Sequence, residues 1–369
     1  MWSERYDRKL DDVFAVQDDI CRTIVAKLRS TPFGEVVAAP SDRHTENVEA
    51  YGLYLRGRYA WNKRTSDGVS EGIKYFEDAI AADPTYALAY TGLADSYALH
   101  IDYRNVPTHE GFEHAKFYAR KAIELDDTLA EAHASLAWSL FIYDWDWNGA
   151  EKEFRRAIEL DPRYATAHQW YAFELASQGK FDEALLQAHT AQENDPASIS
   201  VRRSLGYTYL YARKYQQARY HLDRAIAMNP NAEETYRIQG LILTLDKQYA
   251  AAERVLREAL ALAPERGSYT KATLAYSLAC AGDRSYAKQI ASELEARTKT
   301  EEYVSPVELA TVHIALGDTE RALDWVERAA DDRRGWVAYL RVHPILDPLR
   351  DEPRFKALVQ RMKFAGPAA

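Results

Sequence analysis

The chain is poor in cysteine, in basic charge and in long apolar runs, and each shortage removes a class of function. Only Cys21 and Cys280 occur in 369 residues. Their spacing makes neither a metal-ligand motif nor a disulfide framework, so a reducing, cytoplasmic setting is expected. No apolar run reaches the length of a membrane span and the amino terminus carries no signal-peptide pattern, which argues against a membrane role. The 47 basic residues are outnumbered by 56 acidic ones, for a net charge of −9. Without a basic track, nucleic acid is not an expected partner. There is also no phosphate-cradling glycine loop, no nucleophile elbow and no cysteine–histidine pair of catalytic spacing. No catalytic residue, metal or cofactor is therefore expected.

What the chain does have is a period. Pro162, Pro196, Pro230 and Pro264 stand 34 residues apart. With that proline placed at position 32 of a unit, position 8 reads Gly57, Ala94, Ala137, Ala172, Gly206, Gly240, Ala275 and Ala310. Position 20 reads Gly72, Ala115, Ala150, Ala184, Ala218, Ala252, Ala287 and Ala322. Position 27 is alanine in every unit except the seventh, where Leu294 stands. Small residues at such spacing mark two helices that cross closely, and larger ones such as Phe76, Phe154 and Leu222 fill the space between. Asp83-Pro84, Asp161-Pro162, Asp195-Pro196 and Asn229-Pro230 place a residue biased away from helix before one that can open the next helix.

These residues, from Tyr51 to Arg334, resemble the tetratricopeptide repeat family. The resemblance implies an all-α fold, a right-handed superhelical solenoid of about eight helix-turn-helix repeats. Three units are regular, Ala165 to Pro196, Ile199 to Pro230 and Glu233 to Pro264; the first two carry insertions, the longer at His100 to Gly111 and expected on a loop. The array is expected over residues 47–334. Residues 335–369 follow as a cap, with Phe355, Leu358, Val359 and Met362 at helical spacing.

Residues 1–30 belong to no repeat, and 31–46 read as a linker with Pro32, Gly34 and Pro40. The stretch Trp2 to Ile20 resembles the end of the TolB-like α/β domain that precedes such arrays in bacterial signalling proteins with a cyclase, winged-helix or kinase module. Phe141 to Trp147, with its Asp-Trp-Asp-Trp element, and His343 to Arg350 resemble other parts of those arrays. The chain is then the carboxy-terminal part of a longer layout, and the helix expected near Asp11 to Arg29 packs on the first repeat or on a second copy. A homo-oligomer formed through residues 1–30 is the corresponding expectation.

By the same resemblance, positions 2, 5, 9, 12 and 13 of each first helix line the concave face, and positions 5 and 9 are the ones followed through the units. This nominates Trp138, Phe173, Tyr207 and Tyr276 as an aromatic stripe, with Gln169, Arg203 and Arg237 beside it. Two guanidiniums next to aromatic rings suit an extended peptide or protein carrying apolar side chains and an acidic group. The plainer reading is that the aromatics thicken the inner wall and the arginines pair with Glu234. The lysine and asparagine that clamp chaperone tails in the first unit of some arrays are absent, with Tyr54 and Arg58 in those places.

The leading expectation is thus a non-enzymatic scaffold for a protein or peptide. A second is the regulatory or sensory arm of a bacterial cyclase or transcriptional regulator. A third, weaker, is a metal-dependent enzyme using the His100 to His114 segment, where Asp102, His109 and His114 fit no compact ligand motif.

Overall fold

The computed structural model describes residues 44–63, 65–104, 108–263, 268–299 and 304–364. The expectations for residues 1–30 and most of the linker lie outside them. Among the described residues the chain is all-α, without strands. Sixteen helices form eight consecutive antiparallel pairs: α1 (Val48–Asn62) with α2 (Ser66–Ala82), α3 (Ala87–Arg104) with α4 (Thr108–Leu125), α5 (Ala130–Ser139) with α6 (Trp147–Leu160), α7 (Ala165–Ser177) with α8 (Phe181–Asn194), α9 (Ile199–Tyr211) with α10 (Tyr215–Met228), α11 (Glu233–Leu245) with α12 (Tyr249–Leu262), α13 (Ser268–Cys280) with α14 (Ser285–Arg297), and α15 (Pro306–Leu316) with α16 (Thr319–Asp331). Two 3₁₀ turns, Gly335–Tyr339 and Pro344–Leu349, lead to a last helix, α17 (Pro353–Arg361).

The small residues at the crossings are buried, and their size is a packing requirement. Ala79, Ala122, Ala157, Ala191, Ala225 and Ala259 at position 27 are all fully covered. At Gly206, an added Cβ would meet Leu222 Cδ2 at 2.7 Å and Cγ at 2.8 Å, and Leu222 is itself fully buried. The same carbonyls that the alanines present also end the second helices. Asp83, Asp161, Asp195 and Asn229 leave helical geometry while their N–H groups still reach Ala79, Ala157, Ala191 and Ala225 O at 2.9–3.0 Å. In three of these caps the side chain then accepts from the N–H two residues on, as in Thr85 N to Asp83 Oδ1 at 3.0 Å. The turn between units is built by one residue type at one register.

Three features depart from the regular repeat, the first of them against the sequence expectation. The segment from His100 to Gly111 is not a long loop: α3 continues to Arg104 and α4 starts at Thr108, so the inserted residues lengthen both helices. Between α5 and α6 the helix widens into a π turn, Leu140–Asp144, which closes on Trp145 in the left-handed region at φ 58°. Asp146 then caps α6 by accepting from Gly149 N at 3.0 Å, and Asp144 accepts from Lys116 Nζ at 2.8 Å. Third, the carboxy-terminal segment is more than a lid on the last repeat, because it turns back across the inner wall toward the third.

Replacing Gly206 by alanine tests the crossing. A helix interior favours alanine by roughly 1 kcal/mol, but overlap with a buried leucine costs about 1–3 kcal/mol. The expected result is net destabilisation in urea unfolding; in a Leu222→Ala background, itself less stable, the same Gly206→Ala change should cost nothing or stabilise, which isolates the clash between the two side chains.

Candidate partner-binding groove

First helices of successive pairs lie side by side along the inner wall, as α5 with α7, α7 with α9 and α11 with α13. Three of the nominated aromatics meet there. Trp138 lies 6.3 Å from Phe173 between ring centroids, and Phe173 lies 6.0 Å from Tyr207. Trp170 and Phe141 extend the run at 5.1 and 5.7 Å from Trp138. Tyr276 stands apart from that run; it is buried two repeats away, with its phenol bonded to Cys280 and in the field of Asp347. Gln169 is buried and ties α7 to α9 by donating to Ser200 Oγ at 3.1 Å.

The two arginines converge on one carboxylate. Arg203 reaches Glu234 Oε2 at 3.1 Å and Arg237 reaches Glu234 Oε1 at 3.8 Å, while Tyr207 donates to the same Oε1 at 3.3 Å. Arg237 also lies over the Tyr269 ring at 4.2 Å. The pairing with Glu234 is the plainer of the two sequence readings. A carboxylate held by two cations and a phenol makes a rigid polar node, and an anionic group arriving there would exchange with it rather than fill a gap.

The central part of the groove contains the chain's own carboxy-terminal segment. The Tyr339 ring stacks on Tyr211 at 4.9 Å and stands edge-on to Phe141 at 5.9 Å and Phe173 at 6.3 Å. His343 follows at 5.8 Å from Tyr211, fully enclosed, with Nδ1 accepting from Ile345 N at 3.3 Å. Asp347 then pairs with Arg213 at 2.8 Å. Polar bonds pin both ends of the crossing. Arg333 donates to Tyr143 O at 3.0 Å and covers the Trp145 ring at 3.7 Å; Thr108 donates to Asp332 O; Trp147 Nε1 donates to Met362 O at 2.8 Å and stacks on Phe364 at 4.5 Å.

Apolar burial dominates this attachment. Val337, Leu340, Ile345, Leu346 and Leu349 are each at most 2% exposed, and each such side chain contributes about 1.5–3 kcal/mol. A half-exposed ion pair like Arg213–Asp347 adds at most about 1 kcal/mol. Burial also raises the phenols of Tyr207, Tyr211 and Tyr276 above their ordinary range. Tyr211 and Arg213 escaped the sequence reading, although Tyr211 occupies position 13, which that reading assigns to the concave face. Tyr339, His343 and Asp347 follow no repeat period and carried no such signal.

Of the histidine segment, the side chains of His109 and His114 are described, while those of His100 and Asp102 lie outside the description. His109 Nδ1 bonds the Tyr143 hydroxyl at 2.5 Å, and His114 packs edge-on against Tyr97 at 4.9 Å. Among the described residues no group of three metal-ligating side chains comes together, and no helix is long and apolar enough to cross a membrane.

A family model described as tetratricopeptide repeat matches residues 203–267, at the centre of this inner wall. The chain is built of tetratricopeptide repeats. The full set of helix pairs agrees with solved solenoids. Yeast Tom70 aligns over 96% of this chain and 78% of its own at 17% identity and a TM-score of 0.50. Human IFIT1, a dimer solved with m7Gppp-AAAA, aligns over 86% of this chain and 77% of its own at 16% identity and a TM-score of 0.55. At these identities the likeness concerns the fold alone. Among curated relatives, "Putative adenylate cyclase 3" of Rhizobium meliloti is 32% identical over 141 residues, 38% of this chain and 24% of that protein. The type IV pilus assembly protein PilF of Pseudomonas aeruginosa is 28% identical over 144 residues, 38% of this chain and 57% of its own length. The matches thus span less than two thirds of either relative. Tetratricopeptide arrays are interaction scaffolds, with an extended inner surface offered to partners.

Burial sets a pH dependence for the tail. It pushes the His343 imidazole down to about 3, with Arg213, Arg237 and Arg350 adding to the effect. A folded value below the unfolded one means that neutral His343 contributes fully above pH 6.5 and that the contribution is lost as pH falls toward 3. At about 1.4 kcal/mol per unit, the protein should lose about 2 kcal/mol between pH 6.5 and 5. Urea midpoints measured at both pH values should show that loss in the wild type and a shallower one in His343→Gln. His221, pushed down to about 4 by burial, supplies a slope that remains.

Proposed function

We propose that the chain is a non-enzymatic scaffold that recruits a peptide or protein on the inner wall of its array. The observation that carries this reading is the node where Arg203 and Arg237, from adjacent repeats, share Glu234 beside Tyr207. A partner with an acidic group would take the place of Glu234 across the two guanidiniums while its apolar side chains lie along the neighbouring rings. The net charge of −9 and the lack of a basic track favour a protein over nucleic acid. Residues 1–30, outside the described part, remain the proposed site of self-association.

The similarity to a protein named as a cyclase supports a second reading. In it the array is the regulatory arm of a signalling protein, with another domain of the same pathway as its partner. Both readings use the same inner wall.

Peptides selected by display on the wild-type chain provide the test. Binding measured by fluorescence anisotropy should weaken at least ten-fold in Arg203→Ala with Arg237→Ala. It should tighten in Glu234→Gln, which removes the competing charge. Equal affinity in all three proteins would place the site elsewhere.

A further inference from the structure

We infer that residues 335–349 are an intramolecular ligand of the array, and that what the groove recognises in them defines the partner it can take. This deepens the proposal that the inner wall binds peptides, and rests on it. The segment lies outside the repeat period and comes from beyond the last helix pair, yet it seats on the third, fourth and fifth repeats. Its contacts to Phe141, Phe173, Tyr211 and Arg213 all fall on first helices or the turns that follow them. The segment crosses the wall as two 3₁₀ turns rather than as an extended strand: one ring enters between side chains of successive repeats, and a charged group marks the far end.

The seated segment has a readable pattern. Tyr339 inserts among Phe141, Phe173 and Tyr211; His343, four residues on, packs against Tyr211 and Trp336; Asp347, four further, meets Arg213. The groove is therefore selective for an aromatic residue followed, eight positions later, by a carboxylate. A partner with this pattern competes with the tail for the wall, whereas one lacking it is confined to the Arg203–Glu234–Arg237 node. Partner access to the aromatic half is in this way set by the chain itself.

The probe is a fluorescein-labelled synthetic peptide of residues 334–350, added to the full chain. In the wild type the seat is taken, so the peptide should bind poorly. In Tyr339→Ala with Leu346→Ala the resident segment is loosened, and the peptide should bind at least ten-fold tighter by anisotropy. A peptide carrying the equivalent of Tyr339→Ala should lose that binding. One with Asp347→Asn should lose a few-fold, and this loss should vanish in a chain that also carries Arg213→Ala. Hydrogen exchange of residues 337–349 and far-UV circular dichroism accompany each titration. Faster exchange with unchanged helix content, together with peptide capture, supports the inference. Continued protection of 337–349 overturns it, as does collapse of the helices, equal capture by wild type and variant, or a released tail without capture. No external partner is involved, so failure here leaves the Arg203 and Arg237 test standing.

Discussion

The structure depends on how closely two helices approach where they cross. With glycine or alanine at positions 8, 20 and 27, each pair closes until backbone meets side chain, as at Gly206 and Leu222. That approach determines how far each unit is displaced from the last. In a solenoid such displacements add up over successive units, so a local size constraint controls the curvature of the inner wall. The Asx caps act at the same register: the position 27 carbonyls that receive the last helical N–H also fix where each second helix ends and at what angle the next pair begins.

The curvature brings distant parts of the chain together. Ordinary arrays couple only nearest neighbours, but here Thr108 meets Asp332 across 224 residues and Trp147 meets Met362 across 215. Tyr339 depends on the same geometry, because Phe141, Phe173 and Tyr211 come from three different repeats and form one seat only if the pitch between those repeats is held. The seat and the tail are thus mutually dependent. The array supplies the curvature, and the tail ties the eighth repeat back to the third through Arg333 on the π turn.

What the sequence made legible follows the range of each interaction. Helix pairing, crossing residues and caps are set by neighbours within one or two units, so the period exposed them column by column. Leu294 in place of alanine in the seventh unit is buried at 2% without breaking the pair, which shows that one large residue at a crossing can be absorbed by its surroundings. The insertion before Gly111 misled because extra residues at a turn read as loop, whereas α3 and α4 absorb them as added helical turns. Positions on the inner wall were legible as positions. Their occupants were not, since Tyr339 and Asp347 lie far along the chain with no period to mark them.

The two halves of the wall solve the problem of buried polarity in opposite ways, and this bears on what each can exchange. At the Glu234 node every charged group has a partner of opposite sign, and the Arg203 and Glu234 side chains keep 19% and 37% of their exposure, so water can mediate the replacement of one carboxylate by another. The tail seat is largely apolar and closed, and burial holds both its His343 imidazole and its Tyr211 phenol in their neutral forms. Water gains little by entering such a site, so replacement there requires a segment that restores the same ring contacts as it displaces them. On the proposed reading, the polar node would exchange acidic groups reversibly, while the aromatic seat would discriminate by shape.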